Sequence, residues 1–205
     1  MRLPVSLLLL GLAGSPLTAA TPRTLVFFGD SLTAGLGLEN PGVESYPALI
    51  AGKIAAAGLP WRVVNAGVSG ETSAGGERRI DWVLQQPVDL LVLELGANDG
   101  LRGIDPAVTE ANLRAIIGRV HASHPSARVV LAGMRMPPSL GEDYERAFAA
   151  IFPAVAREEH VALIPFLLEG VGGRPELNQA DGMHPTAAGD AVVAETVWRV
   201  LRPLL

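Results

Sequence analysis

A chain of 205 residues that is 49% hydrophobic and 18% charged holds enough apolar material for one sizeable core, which excludes a disordered or solvating polymer. Its 16 Lys and Arg against 21 Asp and Glu leave a net charge of -5 with no basic cluster, so no nucleic-acid partner is expected. The absence of cysteine excludes disulfides, thiolate metal sites and a cysteine nucleophile.

Arg2 precedes an apolar stretch centred on Leu7, Leu8, Leu9 and Leu10, and small residues lead up to Ala20. That layout predicts a secretory signal peptide over residues 1–20, cleaved after Ala20. The alternative is an N-terminal membrane anchor, but the stretch is shorter than the roughly 18 to 20 apolar residues a span needs. The expected location is periplasmic or secreted. Residues 21–205 form one domain, with no integral span after cleavage.

From Arg23 onward two kinds of segment alternate. Nearly continuous apolar, β-rich runs fall at 24–28, 61–65, 89–95, 127–131 and 161–164, the pattern of parallel strands buried on both faces. Helices are predicted after Ser45 and Ser73, weakened by Gly52 and by Gly75-Gly76. Leu113, Ile116, Ile117 and Val120 recur at helical spacing behind Asp105-Pro106, an N-cap followed by a first helical residue. Tyr144, Phe148, Ile151, Phe152 and Val155 form a second stripe, with a kink expected at Pro153, and Ala194, Val197, Trp198 and Leu201 a third. Such repeated strand–helix units predict a doubly wound, three-layer α/β sandwich on a five-stranded parallel sheet, for which the flavodoxin-like order 2-1-3-4-5 is the order taken.

In such sheets ligands bind beyond the C-terminal ends of the strands. Four polar groups are expected at that edge: Ser31 in Gly-Asp-Ser-Leu, Gly70 in Val-Ser-Gly, Asn98 in Gly-Ala-Asn-Asp, and His184 in Asp-Gly-Met-His-Pro. The order puts strand one between strands two and three, so the loops of Ser31, Gly70 and Asn98 become neighbours. Strand five is roughly 14 Å from strand one at about 4.8 Å per strand, a distance the long segment 165–182 can bridge. Taken singly, each motif also reads as an ordinary turn. Their ordered coincidence on one edge favours acyl transfer by serine. A serine hydroxyl needs an imidazole base within reach, Asp181 lies three residues before His184 to orient it, and an oxyanion needs preorganised donors. The backbone N–H groups of Ser31 and Gly70 and the Asn98 amide supply three. Pro185 is expected to open the last helix, and Ser69 and Asp99 to support the site. His121, His124 and His160 read as surface or helix-end residues.

These four blocks resemble the GDSL esterases and lipases of the SGNH hydrolase superfamily, over about Thr24 to Leu201. The run from Glu94 to Gly103 most resembles the bacterial periplasmic multifunctional thioesterase, arylesterase and lysophospholipase type. The resemblance implies Ser31 as nucleophile, His184 as base, Asp181 as its orienter, and Ser31, Gly70 and Asn98 as the oxyanion hole. It also implies a metal-independent, cofactor-free hydrolase of acyl esters and thioesters. The loop over 134–144 departs from the subgroup in its Pro137-Pro138 pair and in Glu142-Asp143, which predict a stiffer, more negative loop. Leu36, Met136, Leu140 and Phe166, with Leu38 and Leu167 beside them, are the expected acyl-groove residues. The expected partner is a small-molecule acyl ester or thioester, and a monomer is the default state.

Two other function classes remain open at this level. A metal-dependent phosphoesterase would draw its ligands from Asp30, Asn98, Asp99, Asp181 and His184. A non-catalytic binding module would use the same fold, with Gly35-Leu36-Gly37 as a weak nucleotide-loop signal.

Overall fold

The computed structural model describes residues 21–205. The expected signal peptide, residues 1–20, lies outside the described residues. In chain order the elements are β1 (Arg23–Gly29), α1 (Ser31–Ala34), α2 (Pro41–Glu44), α3 (Tyr46–Ala56), β2 (Trp61–Gly67), α4 (Ser73–Val83), β3 (Leu90–Glu94), α5 (Ala97–Leu101), α6 (Pro106–Ser123), β4 (Arg128–Ala132), α7 (Glu142–Glu158), β5 (Ala162–Ile164) and α8 (Ala187–Leu201). The sheet is parallel throughout, as the alternation of strand and helix patterns predicts, and its order is the flavodoxin-like β2-β1-β3-β4-β5.

The apolar runs become strands because both faces are covered. Within β1 and β3, every residue from Thr24 to Gly29 and from Leu90 to Glu94 is buried, whereas β2 at the sheet edge is half-exposed. Successive side chains point to opposite layers. Phe27 meets Tyr46 of α3 edge-on at 5.4 Å. Phe28 faces α4, and a Cβ on Gly76 would come within 3.1 Å of its ring, so only glycine lets that helix approach so closely. In one layer α3 packs on α8; in the other α4 packs on α6 and α6 on α7. Each large apolar side chain fully removed from water here contributes about 1.5–3 kcal/mol.

The helix ends follow local chemistry, with one difference from expectation. Asp105 caps α6 by accepting from Ala107 N at 2.9 Å, with Pro106 first in the helix. Pro153 lies inside α7. Pro185, however, does not open α8. Thr186 is the N-cap, accepting from Gly189 N, while Pro185 makes an isolated antiparallel bridge with Asn178. The Thr186 hydroxyl can accept that N–H, and proline offers nothing comparable. The Asn98-Asp99-Gly100 stretch is a short helix, α5, entered through Gly96 at φ 116.

Candidate active site

Ser31 is the first residue of α1, at the end of β1, with 7% of its surface exposed. Asp30 caps that turn, its Oδ1 accepting from Leu32 N at 3.0 Å, and Gly35 closes it in the left-handed conformation at φ 75. The turn needs Gly29 as well, because a Cβ there would lie 2.6 Å from the Glu94 carbonyl oxygen.

His184 reaches this serine from the far end of the chain. Its Nε2 lies 2.8 Å from Ser31 Oγ, and its Nδ1 lies 2.6 Å from Asp181 Oδ2. Asp181 Oδ1 accepts from Met183 N at 2.9 Å and His184 N at 3.0 Å, so the carboxylate is held by the same turn that presents the imidazole. Those hydrogen bonds, the one from the His184 ring foremost, lower the Asp181 pKa to about 2, and it stays ionised wherever the ring needs an acceptor. This arrangement assigns the neutral tautomer: Nδ1–H donates to Asp181 and Nε2 accepts the serine proton. With both nitrogens engaged, His184 offers no free lone pair to a metal. Among the described residues, no cluster of three or more His, Cys, Asp or Glu side chains could hold a metal ion.

Three hydrogen bonds from Gln179 pin the His184 segment to the Ser31 segment. Gln179 Nε2 donates to Leu36 O at 2.7 Å and to Pro185 O at 2.8 Å, and Gln179 N donates to His184 O at 2.7 Å. A Cβ on Gly37 would collide with the Gln179 amide. The Gly35-Leu36-Gly37 stretch thus ends a helical turn and makes room for this clamp, and no nucleotide loop forms there. Gln179 carries no sequence signal, since a lone glutamine in a loop has no motif or period.

Asn98 projects from α5 with its Nδ2 on Asp30 Oδ2 at 3.0 Å, which orients the amide while leaving its second N–H free of that bond. Gly70 sits at φ 79 across the cleft, its carbonyl accepting from Arg102 Nη2 at 3.1 Å. Ser31, Gly70, Asn98 and His184 all line one cavity of about 610 Å³. Its walls are largely apolar, with Leu36, Leu101, Met136, Phe166, Leu168 and Met183 among them.

The expected groove residues divide. Leu36, Met136 and Phe166 line the cavity; Leu140, Leu38 and Leu167 do not. Leu140 ends a short 3-10 turn with its side chain partly in solvent, and Leu167 is wholly buried in the core. Leucines in an exposed turn and in the buried turn after β5 cannot be told from cavity wall by hydrophobicity alone. Asp99 points away from the cavity. It is fully buried, accepts from Ser73 N at 2.7 Å and Ser73 Oγ at 2.5 Å, and so ties α5 to the start of α4. Ser69 is exposed and outside the cavity lining.

The chain matches the family model of the GDSL-like Lipase/Acylhydrolase family over residues 27–192. It is 44% identical to the esterase TesA of Pseudomonas aeruginosa over 187 residues, covering 91% of each chain. It is 39% identical to the thioesterase 1/protease 1/lysophospholipase L1 of Escherichia coli K12, over 91% of this chain and 87% of the relative. A crystal structure of TesA superimposes with a TM-score of 0.85, covering 89% of this chain and all of the other.

Proposed function

From the premise that this chain belongs to the GDSL-like lipase/acylhydrolase family, we propose that it is a serine hydrolase of short to medium acyl esters and acyl thioesters. Aryl esters and lysophospholipids are included. The observation that carries this reading is the unbroken hydrogen-bonded chain Ser31–His184–Asp181 at the mouth of an apolar cavity.

In this reading Ser31 Oγ attacks the acyl carbonyl as His184 Nε2 removes its proton. The imidazolium that forms is stabilised by Asp181 through Nδ1–H. Negative charge develops on the carbonyl oxygen, which the backbone N–H groups of Ser31 and Gly70 and the free amide N–H of Asn98 receive. Collapse of the tetrahedral species breaks the acyl C–O or C–S bond, and His184 returns the proton to the departing alcohol or thiol. Water then attacks the acyl-Ser31 ester with His184 again as base, releasing the acid and restoring the hydroxyl. The apolar cavity walls at Leu36, Met136 and Phe166 are proposed to take the acyl chain.

No cofactor enters any step. The alternative, a metal-dependent phosphoesterase, is disfavoured because both His184 nitrogens are already committed within the protein. The enzyme is proposed to act as a monomer.

The test is a graded series of p-nitrophenyl and acyl-thioester substrates on wild type and Ser31→Ala together, with fluorophosphonate labelling alongside. Ser31→Ala is expected to lose about 10⁶-fold in kcat and all labelling, as in a dissected serine triad. Retention of more than a few per cent of activity overturns the reading.

A further inference from the structure

Glu94 closes β3 beneath the Asp30–Ser31 turn, and no step of the reaction uses it. Its surface is 0% exposed, as is that of Asp30. Glu94 Oε2 accepts from Asp30 N at 3.1 Å and from Thr33 Oγ1 at 2.7 Å. Thr33 spends its single proton on Glu94, so the Tyr46 hydroxyl, 2.6 Å away, donates to Thr33 in turn. Glu94 Oε1 is different: it is buried, and no donor among the described residues reaches it. A buried carboxylate with one bare oxygen carries a large desolvation cost. A carboxylic acid does not, because the donor-free oxygen is where its proton sits. The Asp30 carboxyl is the neighbouring acceptor for that proton, since Glu94 already meets Asp30 through the bond from Asp30 N to Oε2.

We propose that Glu94 is a positioning residue for the oxyanion hole, held as a neutral acid whose O–H donates to the Asp30 carboxylate and fixes the acceptor on which Asn98 Nδ2 is aligned. Asp30 accepts from Leu32 N and Asn98 Nδ2, and the proposed Glu94 O–H is a third donor to it. The first sets the turn that carries Ser31, the second orients a donor for the oxyanion, and the third holds the acceptor itself in place. Burial, reinforced by the neighbouring Asp30 charge, pushes the Glu94 carboxyl well above the carboxylate range. Burial raises Asp30 less, to about 6, because the Leu32 and Asn98 bonds favour its anion. A proton shared by the pair belongs on Glu94, whose Oε1 has no donor among the described residues, while both Asp30 oxygens already accept hydrogen bonds. A Glu–Asp hydrogen bond of this kind can be mimicked by glutamine, whose Nε2–H₂ donates where the acid O–H did and whose Oε1 accepts in place of the carboxyl oxygen.

The inference rests on the proposed role of Asn98, and the experiment separates the two. Kinetics on p-nitrophenyl butyrate would compare wild type, E94Q, E94A, N98A and the double variant E94A/N98A. N98A is expected to lower kcat by about 10²–10³-fold, the loss of one oxyanion donor. E94A is expected to lower kcat about tenfold with KM little changed, the worth of one positioned hydrogen bond. In the N98A background most of that loss should vanish, since there is no amide left to align. E94Q should keep near wild-type kcat. Infrared spectra at pH 8 should show the carbonyl band of a protonated carboxylic acid in wild type and lack it in E94Q. N98A at the wild-type rate overturns the oxyanion role of Asn98 and this inference with it. A normal N98A loss with independent, multiplicative effects in the double variant overturns this inference alone. So does an E94Q as slow as E94A, or the absence of the infrared band. Should E94A fail to fold, the E94Q rate and the infrared band decide.

Discussion

At the scale of single residues, the proposed site gives each polar group one partner and leaves one hydrogen-bonding position free. His184 spends Nδ1 on Asp181 and keeps Nε2 for Ser31; Asn98 spends one amide proton on Asp30 and keeps the other. Asp181 can afford to be half-exposed because it accepts three hydrogen bonds from its own turn, and these hold it ionised down to about 2. Its folded pKa is depressed, so its contribution to stability is present above the ordinary 3.8 and is lost as pH falls through about 2. Asp181→Asn is therefore expected to leave the fold intact at neutral pH. It should lower kcat by roughly 10³–10⁴-fold, because an amide can present its N–H₂ to Nδ1 and favour the wrong tautomer. Circular dichroism and steady-state kinetics on the same preparation check both halves. The Ser31, Gly70, Asn98 and His184 positions all stand in short motifs, which is why they were legible in the sequence. The positioning contacts of Glu94, Thr33 and Gln179 were not, because each is made with a partner 61 or more residues away; Glu94 stood in the run to Gly103 only as part of a resemblance.

At the scale of elements, α8 does more than cover the sheet. Its first turn carries Asp190, which accepts from Tyr46 N at 2.9 Å and so fastens α8 to the start of α3. The Tyr46 ring lies against Phe27, and its hydroxyl bonds Thr33 beneath the site. The same helix follows directly from the His184 turn, so the clamp also fixes where the imidazole begins. Burial raises the Asp190 pKa to about 7, with the Glu44 charge adding to the effect. Because the folded state binds this proton more tightly than the unfolded chain, stability from Asp190 is full below the ordinary 3.8 and declines as pH rises through about 7. Asp190→Asn keeps an acceptor for Tyr46 N without that charge. Urea denaturation of the variant should show a shallower loss of stability between pH 4 and pH 8 than wild type, by on the order of 3 kcal/mol at the upper end. An unchanged slope would assign the pH dependence elsewhere. The unexpected cap belongs at this scale too. Thr186 takes the N-cap of α8 because Pro185 is held by its bridge to Asn178, a pairing that no local propensity encodes.

At the scale of the whole molecule, the sheet order places every working loop on one edge. β1 lies between β2 and β3, so the loops bearing Ser31, Gly70 and Asn98 are neighbours, while β5 sends its chain back over the top to deliver His184. No helix among the described residues is long and apolar enough to cross a membrane. The N-terminal segment ending at Ala20 is proposed to export the chain to the periplasm or the medium and to be removed there. The intact mass of protein recovered from a periplasmic fraction and from culture medium checks this. The expected product begins at Thr21, and a mass retaining residues 1–20 in the membrane fraction would favour an anchor instead.

The sequence by itself determined the strand–helix alternation, the parallel sheet, and the four residues proposed for the reactive edge. Each of these is written in local periodicity or in a short motif, where residue type and neighbour spacing carry the physics. Only the tertiary structure decided which apolar residues wall the cavity, that Leu140 and Leu167 stand outside it, and that Gln179 clamps the two ends of the site together. It alone placed Glu94 beneath Asp30. Those outcomes depend on which side chains meet across strands and loops far apart in the chain, and on the burial that follows. Burial sets both the worth of a hydrogen bond and the protonation of a carboxyl, and it exists only once the layers have packed.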